Sequence, residues 1–587
     1  MPGVLQVVVV YNKQNVFGQE RDAKLLAEAL PIAARAINQR IGAVKLLDAR
    51  EPPVACDICI HLEIPYAVWF PWARSNVILI NSEWWNAEKW TPYMDSFDVA
   101  IFRDKFNMDR LGTGMDGKAI FLPWCTKLEA MKQEPEDQEK KFIWFLGGSP
   151  NKRAAAEAIV PLWKESYPPL TICSLEPLDA KITGSAASNI TFKIGFLDQK
   201  VKNIFAKEHL GHICLSRAES YGYVAGEAEI LGAFSVLNTL PCYVESYDSS
   251  LSPTSTGLTW IKTPLDEEGN ADFTNKDELS KELDKMVESF LSVNVNQMQS
   301  FKISAFKDRK KRFMDGLGDF LKACIESFET RESIPKHMPP LLNIPDCPPI
   351  SVVTLVHNRP KFIENACLNL LSTDYPRDKI EWVVIDDSDA ELSTSNRIIQ
   401  FEEKFAPGKI TYVPLIKKRS IGYKRNLGVE KAQNSIILMM DDDDHYPSTS
   451  FRRRVAYLLK GRKRYDCATC TTIAMYDLMK GVSAVNVPPY NLSLGERCSE
   501  ATLTFTKSFW NERKFPESNV SEGCEFLKGR ENRVVEMPPQ QIIVAFSHTA
   551  NNSGRKMPDA SPGCFWGFPK PLLEFFHGLV GIKVEAA

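Results

Sequence analysis

Apolar and polar positions along this chain alternate between two textures: short unbroken apolar runs, and longer stretches in which apolar residues recur at helical spacing. In the first part the runs Leu5–Val10, Ile58–Leu62, Val77–Ile80, Val99–Phe102, Phe142–Phe145, Leu170–Cys173, Ile213–Leu215 and Ser235–Leu237 read as buried strands. Helical text lies between them, as at Glu20–Asn38 and Ala154–Lys164, and the basic segment Phe301–Phe328 closes this part. Strands alternating with helices predict parallel sheets with crossover helices, an α/β fold. A polar stretch from Glu129 to Lys140 divides this part into two Rossmann-like lobes, expected at residues 1–130 and 140–330.

Between Ser333 and Ile350 the text turns proline-rich, with Pro335, Pro339, Pro340, Pro345, Pro348 and Pro349. Such a segment sustains neither helix nor central strand, so residues 331–349 read as a linker. A new unit, 350–587, opens with the strand Ile350–Val356. Ile363, Ala366, Cys367, Leu370 and Leu371 then give a one-sided helical stripe. The strand Glu381–Ile385 runs into Asp386 and Asp387, and the strand Ser435–Met440 into Asp441, Asp442, Asp443 and Asp444. Acids at the carboxyl ends of strands stand where open α/β sheets bind ligands.

Composition narrows the function classes. The 587 residues exceed what one hydrophobic core serves, and 44% hydrophobic with 25% charged residues is ordinary globular usage. A net charge of -3 argues against a dedicated nucleic-acid binder. The apolar run Val4–Val10 is too short for a signal-peptide core, and no stretch has the length of a membrane span. The fourteen cysteines are scattered rather than framed. The pairs Cys56/Cys59 and Cys467/Cys470 lie in strand-like text and read as buried thiols rather than a split zinc site. A reducing, cytoplasmic setting is the expectation.

Four consecutive aspartates after an apolar strand are electrostatically costly, because each carboxylate opposes ionisation of its neighbours. A divalent cation resolves this, and an all-oxygen ligand set favours Mg²⁺ or Mn²⁺. The surrounding text carries further motifs in order: SerValValThrLeuValHisAsnArgPro, ValValIleAspAspSer, GlyTyrLysArgAsnLeuGly and LeuMetMetAspAspAspAsp. Together they resemble family 2 glycosyltransferases of the GT-A fold, over about residues 350 to 552. The resemblance implies that His357 lies beside the nucleotide base and that Asp387 accepts a hydrogen bond from it. Arg425 would help hold that region, Asp441 would face the ribose, and Asp443 would ligate the metal that bridges the diphosphate. Inverting transfer also needs a carboxylate to take the acceptor hydroxyl's proton. In the family it sits in a Glu-Asp motif before a helix. The matching text is SerGluGlyCysGluPheLeuLysGlyArg, residues 521–530, with glycine at the usual Asp position. Glu522 is the base expected there and Glu525 the lesser candidate. The late segment PheSerHisThrAlaAsnAsnSer resembles a His-x-x-Asn element, which makes His548 a further metal or diphosphate ligand with Asn551 nearby.

The earlier half holds a second constellation. Glu219 and Glu227 are separated by seven residues, with Gly222 at a strand-to-helix turn and a helix expected from about Tyr223 to Leu231. A helix starting there points free N–H groups into a cleft, a seat for a diphosphate. Glu227 is placed to clamp a ribose diol and Glu219 to bind donor-sugar hydroxyls. This segment resembles the Glu-x7-Glu signature of GT-B glycosyltransferases, family 4 in particular. The resemblance implies metal-independent, retaining transfer, with the diphosphate charge taken by Lys152 or Arg153. The whole chain then reads as an α/β protein of two Rossmann-like GT-B lobes followed by a GT-A domain. Its expected activity is bifunctional transfer from UDP- or GDP-linked sugars to a growing glycan. Alternatives are a single active GT-A domain with a glycan-docking N-terminal module, or a sugar nucleotidyltransferase. The latter lacks its glycine-rich basic loop after the strand Ile350–Val356.

Overall fold

The computed structural model describes residues 4–15, 18–112, 115, 117–129, 138–248, 250–328, 340–460, 464–549, 551, 557, 561–564 and 566–582. Most of the polar stretch expected to divide the first half, and the first part of the proline-rich segment, lie outside the described residues.

The first sheet is six-stranded and wholly parallel. Its strands are β1 (Val7–Tyr11), β2 (Lys45–Asp48), β3 (Cys56–Leu62), β4 (Ala73–Leu79), β5 (Val99–Phe102) and β6 (Ala119–Phe121), in the order β2-β1-β3-β4-β5-β6. Helix α1 (Gly18–Ala36) packs Leu26, Ala29, Leu30 and Ala33 on one face of it. The second sheet comprises β7 (Glu139–Gly147), β8 (Leu170–Ser174), β9 (Ile190–Ile194), β10 (His209–Ile213), β11 (Phe234–Asn238) and β12 (Leu258–Ile261). Its order, β9-β8-β7-β10-β11-β12, is all parallel and doubly wound, with a switch point between β7 and β10. Helix α2 (Pro150–Ile159) follows β7, and helix α3 (Tyr223–Ile230) leads into β11. The long helix α4 (Val295–Glu326) serves both sheets. Met298 joins the core of the second, and Phe313, Leu317, Phe320 and Leu321 join the core of the first.

The third sheet is mixed and seven-stranded. It comprises β13 (Ile350–Val356), β14 (Ile380–Asp386), β15 (Lys409–Pro414), β16 (Ile436–Met439), β17 (Cys467–Cys470), β20 (Thr504–Thr506) and β21 (Val534–Met537), in the order β15-β14-β13-β16-β20-β17-β21. The four strands from β15 to β16 are parallel, and β20 runs antiparallel to both β16 and β17. A small sheet of β18 (Ile473–Asp477), β19 (Val482–Asn486), β22 (Val544–Ser547) and β23 (Ser561–Pro562) flanks it. Helix α5 (Ile363–Ser372) buries Ile363, Ala366 and Leu370 on the third sheet, whereas Leu371, counted in the sequence stripe, is exposed. No helix among the described residues is long and apolar enough to cross a membrane.

Two boundaries differ from the sequence pattern for physical reasons. The strand expected at Ile213–Leu215 is β10, displaced toward His209. His209 and His212 are buried in it, each with one ring nitrogen bonded to a carbonyl at the end of the preceding helix, His209 Nδ1 to Phe205 O at 2.7 Å and His212 Nε2 to Ala206 O at 2.8 Å. The helix expected at Ala154–Lys164 begins at Pro150, capped by the Ser149 hydroxyl, and gives way to a 3₁₀ turn at Val160 next to Pro161. The cysteines of both CxxC pairs are buried free thiols within β3 and β17.

Candidate active sites

β16 ends where the aspartates begin, and the loop is held from beneath by amides of α5. Asn365 Nδ2 donates to the carbonyls of Asp442 and Asp444 at 2.9 and 2.8 Å, and Asn369 Nδ2 to that of Asp444 at 2.9 Å. The Asp441 N–H donates to Tyr446 Oη at 3.0 Å, whose hydroxyl donates to Ala501 O at 3.0 Å. With the backbone pinned, Asp441, Asp443 and Asp444 each offer a carboxylate oxygen within 4.8 Å of the others. Among the described residues this is the one group of three or more potential metal ligands so arranged. Hard oxygen donors at this spacing suit Mg²⁺ or Mn²⁺.

The protein also brings its own cations. The Arg359 guanidinium pairs with Asp442 at 2.6 Å and contacts Asp443. This partner was legible only as the arginine of the HisAsnArgPro motif. Burial, with the charges of Asp443 and Asp441 adding to it, pushes the Asp442 carboxyl up to about 8 against the pull of Arg359. The same Asp443 Oδ2 that Arg359 contacts has His548 Nε2 at 3.2 Å and Asn551 Nδ2 at 3.1 Å. The His548 ring stacks on Phe362 with centroids 4.3 Å apart. Asp444 accepts the Phe546 N–H at 2.9 Å, which ties the loop to β22.

Asp387, at the end of β14, receives the Lys424 ammonium at 2.7 Å, the Arg419 N–H at 2.9 Å and His357 Nδ1 at 3.2 Å. Lys424, whose ammonium burial pulls down, was passed over in the sequence although it adjoins Arg425. Both stand on helix α6 (Ile421–Lys431). Arg425 does not join this group. It pairs with Glu522 at 2.8 Å, at the start of helix α7 (Glu522–Leu527), and both side chains are buried. Glu525 points outward beside Lys528, so it does not meet the cleft.

In the first half, the turn after β7 and the loop before α3 come together. Lys152 and Glu219 form an ion pair at 3.0 Å, with both side chains largely buried. Arg153 instead faces Glu176 at the surface and takes no part. The sequence did not single out Glu83, which arrives from the first sheet. It accepts from Asn151 Nδ2 at 2.8 Å, and burial together with the Glu219 charge pushes it up to about 8. Gly222 caps α3 with a φ of 77°, and a Cβ there would stand 2.4 Å from the Tyr243 ring, so only glycine fits. Glu227 contacts Arg21 of α1 and Lys202 at 3.0 Å. Burial alone would raise its pKa, but those two cations hold it at about 2.

Residues 351–479 match the family described as Glycosyl transferase family 2. No curated protein matches the chain. Solved structures resemble parts of it at low identity. One is the mannosyltransferase PcManGT of Pyrobaculum calidifontis, in complex with GDP-Man and Mn2+, at 17% identity, 36% of this chain, 60% of that one and a TM-score of 0.28. Another is S. aureus TarS 1-349 with UDP-GlcNAc, at 18% identity, 35% of this chain, 60% of that one and a TM-score of 0.27. A third is the OtsA apo structure, at 11% identity, 46% of this chain, 72% of that one and a TM-score of 0.33. The family match spans β13, β14 and the aspartate loop, so the chain carries a segment similar to glycosyl transferase family 2 at residues 351–479.

Proposed function

We propose that this chain is a tandem glycosyltransferase whose two halves each use a nucleotide sugar. The unit 350–587 reads as an inverting GT-A domain that transfers a sugar from a UDP- or GDP-linked donor to a glycan acceptor. The observation that carries this reading is the convergence of Asp441, Asp443 and Asp444 at the end of β16, inside the segment that matches family 2. Asp443, with Asp441, Asp444 and His548, would hold Mn²⁺ or Mg²⁺. Such an ion, when bound, supplies positive charge against a departing nucleoside diphosphate. Asp387, which Lys424, Arg419 and His357 contact, would accept a hydrogen bond from the nucleotide base.

The lobes 1–130 and 140–330 read as a GT-B unit, retaining and metal-independent. Its diphosphate would sit at the start of α3 next to Lys152, and its sugar at Glu219. A second reading, in which this half only docks glycan, draws on Glu227. The carboxylate expected to clamp a ribose is already paired with Arg21 and Lys202. The test is to assay Glu219→Ala and Asp443→Ala separately with a panel of UDP- and GDP-sugars, reading nucleoside diphosphate release. Loss of a different donor's turnover in each variant supports the tandem enzyme. Loss only in Asp443→Ala leaves the docking module, and loss in neither refutes both sites.

A further inference from the structure

Resting on the reading of the C-terminal unit as an inverting glycosyltransferase, we propose that Glu500, and not Glu522, is the base that takes the acceptor hydroxyl's proton. The first ground is steric. Gly523 stands at the motif position where an aspartate was expected, and its N–H donates to Glu500 Oε1 at 3.3 Å. A Cβ built on Gly523 would lie 3.0 Å from that oxygen and 3.1 Å from Glu500 Cγ. The Glu500 carboxyl group therefore fills the room into which a side chain at 523 would grow. The two positions are complementary: the glycine makes space and a neighbouring segment supplies the acid.

The second ground is the division of partners. Glu522 is committed to Arg425 at 2.8 Å. Among the described residues Glu500 takes part in no ion pair, and its carboxylate is held by backbone N–H groups, that of Gly523 at 3.3 Å and its own. A carboxylate held only by backbone N–H groups can receive a proton from a substrate without first breaking a salt bridge. Arg425 and Glu522 then act as a positioning pair that fixes the start of α7.

The third ground is registration with the aspartates. Glu500 opens the 3₁₀ turn Glu500–Thr502 that leads into β20, the antiparallel neighbour of β16. The adjacent Ala501 carbonyl accepts the Tyr446 hydroxyl, which in turn accepts the Asp441 N–H. One hydrogen-bonded link thus ties the segment bearing Glu500 to the loop expected to hold the diphosphate. Burial and the Glu522 charge raise the Glu500 pKa, with Arg425 opposing, a direction that suits a group meant to accept a proton.

In the step, Glu500 takes the hydroxyl proton as the acceptor oxygen bonds to the anomeric carbon. The bond from that carbon to the diphosphate oxygen breaks, its electron pair leaves with the nucleoside diphosphate, and Glu500 later returns the proton to solvent.

The experiment uses the full chain carrying Glu219→Ala, which silences the other half. Donors are UDP-glucose, UDP-N-acetylglucosamine and GDP-mannose with Mn²⁺ and simple glycoside acceptors. Glu500→Gln is expected to lower kcat by roughly 10²- to 10³-fold, as loss of a general base does, while the donor-induced thermal shift stays. Glu500→Ala combined with Gly523→Asp, which moves the carboxylate across the gap, is expected to recover about tenfold or more over Glu500→Ala alone. Glu500→Gln within about threefold of its parent, or a double variant no better than the single, overturns the assignment. A parent that neither binds nor turns over any donor, or that is indifferent to Asp443→Ala, overturns the glycosyltransferase reading and Glu500 with it. The two failures are thereby distinct.

Discussion

Arg359 offers the sharpest test of how the aspartate loop is kept neutral. Its side chain is 13% exposed, while those of Asp442 and Asp443 are 0% and 4% exposed. Replacing it by methionine keeps the length of the chain and removes the charge. Taking one partner from a buried pair leaves an uncompensated charge and costs about 3–5 kcal/mol. In a unit of this size each 1 kcal/mol moves Tm by about 2–4 °C, so Arg359→Met is expected to lower the C-terminal melting transition by on the order of 10 °C. If the same carboxylates bind a divalent ion, Mn²⁺ at a hundred times its Kd returns about 2.7 kcal/mol. The assay is differential scanning fluorimetry of wild type, Arg359→Met and Asp443→Ala over a Mn²⁺ titration. Rescue of Arg359→Met by Mn²⁺, with no Mn²⁺ response in Asp443→Ala, is the expected pattern. A variant that melts with wild type in the absence of metal, or equal Mn²⁺ shifts in wild type and Asp443→Ala, refutes the reasoning.

Glu227 predicts a pH dependence in the first half. Its folded pKa, about 2, lies below its ordinary value of 4.5, so its contribution is complete above 4.5 and lost as pH falls toward 2. The gap corresponds to about 3 kcal/mol. Urea melts of wild type and Glu227→Gln between pH 7 and pH 3 should therefore converge as acid is added, and parallel curves would show that the Arg21 and Lys202 contacts carry no such linkage. Gly222→Ala is expected to cost about 2–5 kcal/mol, from the left-handed backbone and the collision with the buried Tyr243 ring, whose hydroxyl donates to Cys214 O at 2.9 Å. Chemical denaturation of the variant measures it, and a change below about 1 kcal/mol would mean that Tyr243 moves aside freely.

The α/β class and the placement of most strands were legible along the chain, because continuous apolar runs such as Val7–Val10 and Ile436–Met440 have little use outside a doubly covered sheet. So were the acids at the strand ends, since four adjacent carboxylates conflict with their apolar context whatever the fold. Glycine at 222 was legible as a turn, although the Tyr243 ring that enforces it was not. Which side chains face one another follows from the packing. Arg359 reaches the aspartates across 83 residues of sequence, Glu83 reaches the Lys152–Glu219 pair from a different sheet, and Arg425 turns to Glu522 rather than toward Asp387. Glu500 was invisible for the same reason. Its meaning lies in the space left by Gly523, and the distance between two side chains that are remote along the chain follows from packing, not from any local pattern of residues.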